Sequence, residues 1–244
     1  MMMAMIVTAS PAIENVSAPG TRYLVMVARR TRLPVSHILL THHHTDHALG
    51  SSYFSARGAE VIAHRLCAER MEAEHPALIA SRRAEPETAA LFADAEPCRA
   101  ARTFDEETEI ELGGASLRIA HPGHGHTPGD SIAWLPGESV AICGDLVSSG
   151  YHVNMEDASL SGVEAGLDAL ARLGARTFVP GHGPSRGAAL LREQHSYHRT
   201  VAEMVREGFR SELSDQQIEA GIASRFPAHR LRLVLPAAVA AWRS

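Results

Sequence analysis

Along the chain of 244 residues, the spacing of apolar and polar positions changes several times, and each change predicts an element. Ala4 to Thr8 reads as a short buried strand. Ser10 to Gly20 carries Pro, Gly and Ser and reads as a loop. Gly20 to Arg32 is a predicted helix with Leu24, Val27 and Ala28 on one face. Arg29, Arg30 and Arg32 sit at its C-terminal end, where cations suit the helix dipole, and Pro34 stops it. His37 to Thr41 is a strand, Ala48 to Arg57 a helix closed by Gly58, and Glu60 to Ala63 a strand again. Such alternation argues for an α/β fold. Residues 64–94 are helical in pattern, rich in Ala, Glu and Arg, and broken at Pro76 and Pro86. They are expected to form a helical insertion or lid over one edge of a site, or else a plain surface helical pair.

From Thr103 the period becomes two. Ile110 and Leu112, then Leu117 and Ile119, flank Gly113-Gly114 and predict a β-hairpin. Residues 121–130 are too rich in Gly and Pro for anything but a loop. Ser131 to Leu135 and Ser139 to Cys143 are strands joined through Pro136-Gly137, the second ending in Gly144-Asp145. An amphipathic helix over Leu160 to Leu173 precedes a short strand, Thr177 to Val179, that ends in Pro180-Gly181-His182-Gly183. The remainder, 186–244, is helical: Arg186 to Phe209, then Ser214 to Phe226 with Ser214 and Gln217 placed as a capping box, then a short apolar tail helix. The length suits one sizeable core, and one domain over 1–244 is expected.

Composition narrows the function classes. Hydrophobic content of 45% and charged content of 21% are those of an ordinary globular protein. A net charge of -5 gives no reason to expect nucleic acid or an anionic membrane as partner. All 23 cationic residues are Arg, so Schiff-base chemistry on lysine is excluded, as is a lysine anchor for a substrate carboxylate. Cys67, Cys98 and Cys143 form neither a CxxC pair nor a disulfide framework, so a reducing, cytoplasmic setting is expected. No apolar run approaches the length of a membrane span, and the opening residues lack the basic flank of a signal peptide.

The chemistry centres on Thr41-His42-His43-His44-Thr45-Asp46-His47, directly after the apolar run Ile38-Leu39-Leu40. On an extended turn, residues two apart point the same way, so His42 and His44 can grip one ion. Asp46 and His47, a step further round, can aim at a neighbouring point. Neutral imidazoles with a carboxylate suit zinc, and also iron or manganese. Further donors recur just past predicted strands: His126 after the hairpin, Asp145 and His182 at the ends of the next two. Ligands collect at such strand ends in open α/β folds. Glycines 125, 144 and 181 precede these three donors, and glycine permits a sharp turn and a close approach.

The series H-x-H-x-D-H, G-H-T-x-G-D, G-D and P-G-H-G resembles the metallo-β-lactamase-fold superfamily over nearly the whole chain. The resemblance implies an α/β fold, an αββα sandwich of two mixed β-sheets with helices on the outer faces. It implies that His42, His44 and His126 hold one metal, that Asp46, His47 and His182 hold a second, and that Asp145 bridges both. Two Zn(2+) ions per chain, with iron or manganese as alternatives, would share a hydroxide that cleaves an ester, thioester, lactone or amide bond of a small molecule. Asp46 would orient the attacking water and accept its proton. An aspartate at position 145 is more similar to the glyoxalase II, lactonase and general hydrolase branches than to true β-lactamases. A mononuclear-iron persulfide dioxygenase, and a β-lactamase-like amidase, are the alternatives.

Neighbouring residues carry open assignments. His124 lies in the same loop as His126, and the Thr-Pro-Gly-Asp that follows favours His126. His43 is expected to pack behind its neighbours. Asp130 is expected either to fix the tautomer of a ligand histidine or to make an Asx-type turn. Tyr151, His152 and Asn154 are pocket candidates, against a plain loop. Cys143 is expected to be inert core, and His195 and His198 solvent-exposed or internally satisfied. Members of the superfamily usually carry more strands before the first motif than this chain does. Either the start site is misplaced or those strands are lost; if lost, a sheet edge or core face would lie uncovered, and a homodimer is expected to cover it.

Overall fold

The apolar runs of the first part of the chain become parallel strands. The computed structural model describes residues 3–7 and 34–243. The helix predicted at 20–32 and the loop before it lie outside the described residues. The chain divides into two compact units, 1–121 and 122–244.

In the first unit β1 (Met3–Val7), β2 (Val35–Leu40), β3 (Glu60–His64) and β4 (Arg102–Phe104) lie side by side in that order, each pair parallel. Ile38, Leu39 and Leu40 are all buried, as are Val61, Ile62 and Ala63. Continuous burial without alternation is the mark of a sheet covered on both faces. The helix predicted over 48–57 is two short helices, α1 (Thr45–Ala48) and α2 (Ser51–Ser55), parted at Leu49-Gly50.

The stretch expected as an insertion or lid, or else a plain surface helical pair, joins two parallel strands. Parallel strands cannot be joined by a tight turn and need a crossover. Helix α3 (Arg65–Ala84) forms most of the connection from β3 to β4. Its Cys67, Ala68 and Met71 share one core cluster with Ile38, Leu40, Val61 and Ala63. Pro76 does not break it. The proline is exposed, and the buried stripe Cys67, Met71, His75 and Ile79 carries the helix through the missing hydrogen bond. The second break does occur: Glu85, before Pro86, is extended at φ -85 and ψ 121, because proline disfavours the helical region in its predecessor. Helix α4 (Ala89–Phe92) follows, with Phe92 packed on Leu49, Ile79 and Ala95. β5 (Glu107–Glu111) and β6 (Ser116–Ala120) form the predicted hairpin, Ile110 opposite Leu117, turning at Gly113 and Gly114 with φ of 71 and 116.

In the second unit β7 (Ile132–Leu135) pairs antiparallel with β8 (Val140–Ser148), and β8 pairs parallel with β9 (Thr177–His182). Helix α5 (Leu160–Arg172) lies on the β8-to-β9 crossover, its N-terminus capped by the Ser159 hydroxyl. Three helices follow: α6 (Ala189–Arg210), α7 (Asp215–Arg225) and, after a 3-10 turn, α8 (Leu235–Arg243). The capping box of Ser214 and Gln217 is formed. α7 approaches α6 at Gly208, where a Cβ would stand 2.5 Å from the Ile218 side chain. The fold class is thus the α/β one expected, with strands divided between two sheets and helices interleaved. Among the described residues no helix is long and apolar enough to cross a membrane.

Candidate metal centre

The first unit gathers one cluster of donors. β2 ends at Leu40 and the chain turns through Thr41–His44 into α1. The His44 carbonyl accepts from the amides of His47 (3.0 Å) and Ala48 (2.9 Å), which pins the loop into a helical turn. The rings of His42 and His44 stand 4.8 Å apart and nearly perpendicular, and those of His42 and His47 are 4.1 Å apart. His42 and His47 are buried, while Asp46 is exposed with Oδ2 3.4 Å from His47 Nε2. His43 lies behind them: its Nε2 is 3.5 Å from Glu74 Oε2, and its carbonyl accepts a 2.7 Å bond from His75 Nε2. Burial lowers the pKa of His75, in keeping with a neutral ring that keeps its proton on Nε2 for that bond.

The second unit gathers the other donors around one carboxylate. The sequence pattern ends β8 at Gly144-Asp145, but the strand runs on to Ser148. The pairing with β9 is irregular on both sides of Gly144, and Gly144 takes φ 54. A bulge of this kind re-aims the side chain that follows. Asp145 Oδ2 lies 3.2 Å from His182 Nε2 and 3.7 Å from His126 Nε2. Gly181 makes room for it: a Cβ there would stand 1.7 Å from Asp145 Oδ1.

The loop from 121 to 131 is fastened by Asp130. Its carboxylate accepts from the His126 amide (2.6 Å), the Thr127 amide (3.0 Å) and the Thr127 hydroxyl (2.7 Å). Of the two expected roles, these bonds are those of the turn, made to backbone and hydroxyl. Burial raises its pKa to about 7 against those bonds. His124 Nε2 bonds the Asp157 carbonyl at 2.7 Å, so His126 is the one brought to Asp145.

The pocket candidates separate. Tyr151 stands 5.4 Å from the His182 ring and lines a cleft of ≈ 820 Å³ with Arg186, Tyr197, Phe226 and Arg230. His152 does not line it: the ring is buried, with Nδ1 3.0 Å from the Tyr197 hydroxyl. Asn154 accepts from the Glu156 amide and closes a local turn. Sequence neighbours over 151–154 face different surroundings, which a run of mostly polar residues cannot reveal. Cys143 is buried, and burial pushes its thiol pKa up, so it is inert core. His198 is buried and bonded to Gln194, while His195 Nε2 lies 3.7 Å from Asp168 Oδ1.

The donors fit a divalent transition metal. The buried His126 and the half-buried His182 bring Nε2 atoms to a single carboxylate oxygen in one unit, and three imidazoles and a carboxylate crowd one turn in the other. Two supporting residues carry little signal in the sequence. His75 sits in a stretch whose pattern reads as an insertion. Gln194 leaves a faint trace, a lone amide on the apolar face formed by Leu190, Leu191, Tyr197 and Val201.

The sequence profile of the Metallo-beta-lactamase superfamily matches residues 17–182. A Metallo-beta-lactamase type 2 of Elizabethkingia meningoseptica is 26% identical over 112 residues, covering 46% of this chain and 36% of that protein. A Hydroxyacylglutathione hydrolase of Acidiphilium cryptum (strain JF-5) is 30% identical over 175 residues, covering 70% of this chain and 54% of that protein. The chain thus spans about a third to a half of the curated relatives it matches. Among solved structures, a metallo-beta-lactamase from Pontibacter korlensis superposes with a TM-score of 0.60 at 23% identity, covering 73% of this chain and 75% of that one.

Proposed function

Because this chain belongs to the metallo-beta-lactamase superfamily, whose members are mostly metal-binding hydrolases, we propose that it is a dinuclear-metal hydrolase of small molecules. The bond opened is an ester, thioester, lactone or amide. The observation that carries this reading is Asp145, whose one oxygen faces two imidazole nitrogens. A carboxylate so placed is the donor that two ions can share. His42, His44 and His126 would hold one zinc ion, and Asp46, His47 and His182 the other. Bound there, the ions would supply Lewis acidity and bring the pKa of water toward neutrality.

The chain's own groups do the rest. Asp46, exposed at the mouth of its turn, would accept the proton of the attacking water on a carboxylate oxygen. Its Oδ2 lies 3.4 Å from His47 Nε2, which keeps the two donors of that ion side by side. Tyr151, beside His182, opens onto the cleft of ≈ 820 Å³, a size suited to a small organic substrate. Thioesters come first among substrates to screen, on the 30% likeness to a hydroxyacylglutathione hydrolase.

The test is metal content by elemental mass spectrometry on protein purified without added metal or chelator, alongside a screen of thioesters, esters and lactones. The expected result is close to two zinc ions per chain, a lower content in Asp145→Ala, and hydrolysis lost with the metal. One iron per chain with oxygen-dependent persulfide oxidation would overturn the reading. So would a folded protein that takes up no metal on titration.

A further inference from the structure

Among the described residues, β7 does not accompany β8 along its whole length. β7 pairs with β8 only over Val140–Ile142. Beyond that point β9 remains on one side, with Ser148 in register with His182 and the Ser149 amide bonded to the His182 carbonyl at 2.8 Å. On the other side a side chain supplies a bond. Gln194, buried in the second turn of α6, accepts from the Ser148 amide through Oε1 at 3.0 Å. That bond fixes the amide's orientation, because only its oxygen can accept from N–H. Gln194 Nε2 is therefore the donor to His198 Nε2, at 2.9 Å. His198 in turn must keep its proton on Nδ1, and its burial lowers its pKa to about 4.

We propose that Gln194 is a positioning residue for the Asp145–His182 pair: its amide bonds β8 beyond the reach of β7 and holds Ser148 against the end of β9. The inference rests on the metal-centre reading above. The few residues from Asp145 to Ser148 are a short tether, so a shift at Ser148 changes the 3.2 Å approach of Asp145 to His182. A buried Ser148 amide without Gln194 would have to find water or another acceptor, and the strand end would move to do so. Gly183 shows how closely this corner is packed, since a Cβ there would stand 2.0 Å from the Ser149 carbonyl oxygen. Groups that support metal ligands at one remove are worth about 10–100-fold in metal affinity.

The test is titration of metal-free protein with Zn²⁺ against a chromophoric chelator, repeated with Co²⁺ to read its visible absorption. Gln194→Met is close in size and removes both hydrogen bonds. It is expected to bind the second equivalent about 10–100-fold more weakly and to alter the Co²⁺ spectrum, with an unchanged circular dichroism spectrum. Gln194→Glu keeps an acceptor for the Ser148 amide and is expected to retain the wild-type affinity. If the Met variant does not fold, Gln194→Asn keeps the amide but falls one methylene short, and carries the same expected loss. A folded Met or Asn variant that binds both equivalents as wild type does overturns the inference alone. A Glu variant as weak as the Met variant also overturns it, since the Ser148 bond would then be irrelevant. Wild-type protein that binds no metal overturns the metal-centre reading first, and this one with it.

Discussion

Gly181 is the residue on which the carboxylate cluster turns. Its backbone is one that any residue can adopt, so what it supplies is space: the missing Cβ would overlap Asp145 Oδ1 at 1.7 Å. Gly181→Ala is therefore expected to push the Asp145 carboxylate off His182 and to weaken zinc binding at least about tenfold while the protein stays folded. Wild-type affinity in that variant would mean that the carboxylate has room to step aside. Gly144 acts differently, through φ 54, which lets β8 bulge and re-aim Asp145. The sequence puts a glycine before each of three donors. It does not say that one supplies space and another supplies backbone freedom, because both look the same in one dimension.

At the scale of elements, Pro76 separates local preference from packing. Helix α3 runs through it, since one face is already buried among Cys67, Met71, His75 and Ile79. The proline itself is exposed, away from that face. Pro76→Ala is expected to stabilise the protein by up to about 3 kcal/mol, read as a higher urea midpoint with unchanged slope. A lower midpoint would mean that the proline's restriction of the unfolded chain outweighs its cost in the helix. Pro86 breaks the helix as expected, and the box at Ser214 and Gln217 starts α7 as expected. Those signals act within three or four residues. Residues 64–94 read as an insertion because a crossover helix is recognised only by the strand it leads to. β4, only three residues long, carries too little pattern to be seen.

For the whole molecule, two buried histidines of the second unit set an acid limit. His152 and His198 have pKa values lowered from 6.5 to about 4, in each case chiefly by burial. In the unfolded chain each takes a proton as pH falls through 6.5, and in the folded chain only near 4. Between those values the unfolded state binds more protons, so stability rises with pH across the window and is lost as pH falls. Asp130, raised by burial to about 7, holds a proton in the folded chain over the same window and offsets one of the two histidines. With the remaining one, Tm of the metal-free protein is expected to drop already between pH 6.5 and about 5, where ordinary carboxylates are still ionised. A flat Tm over that upper part of the window would show that these rings are protonated in the native state.

By itself the sequence determined the α/β alternation, the hairpin at Gly113-Gly114 and the capping box at Ser214 and Gln217, and it pointed to the candidate donors. These rest on periods of two and 3.6 and on motifs within a few residues. The superfamily could be read from the same motifs. Only the tertiary structure decided that His126 and not His124 meets Asp145, that β8 continues past its bulge, and that Tyr151 reaches the cleft while His152 turns inward. It alone put His75 behind the histidine turn and Gln194 behind β8, across 32 and 46 residues of chain. The physical reason is the same in each case. A side chain's direction is set by the elements packed around it, and contacts between distant parts of a chain leave no period in the sequence.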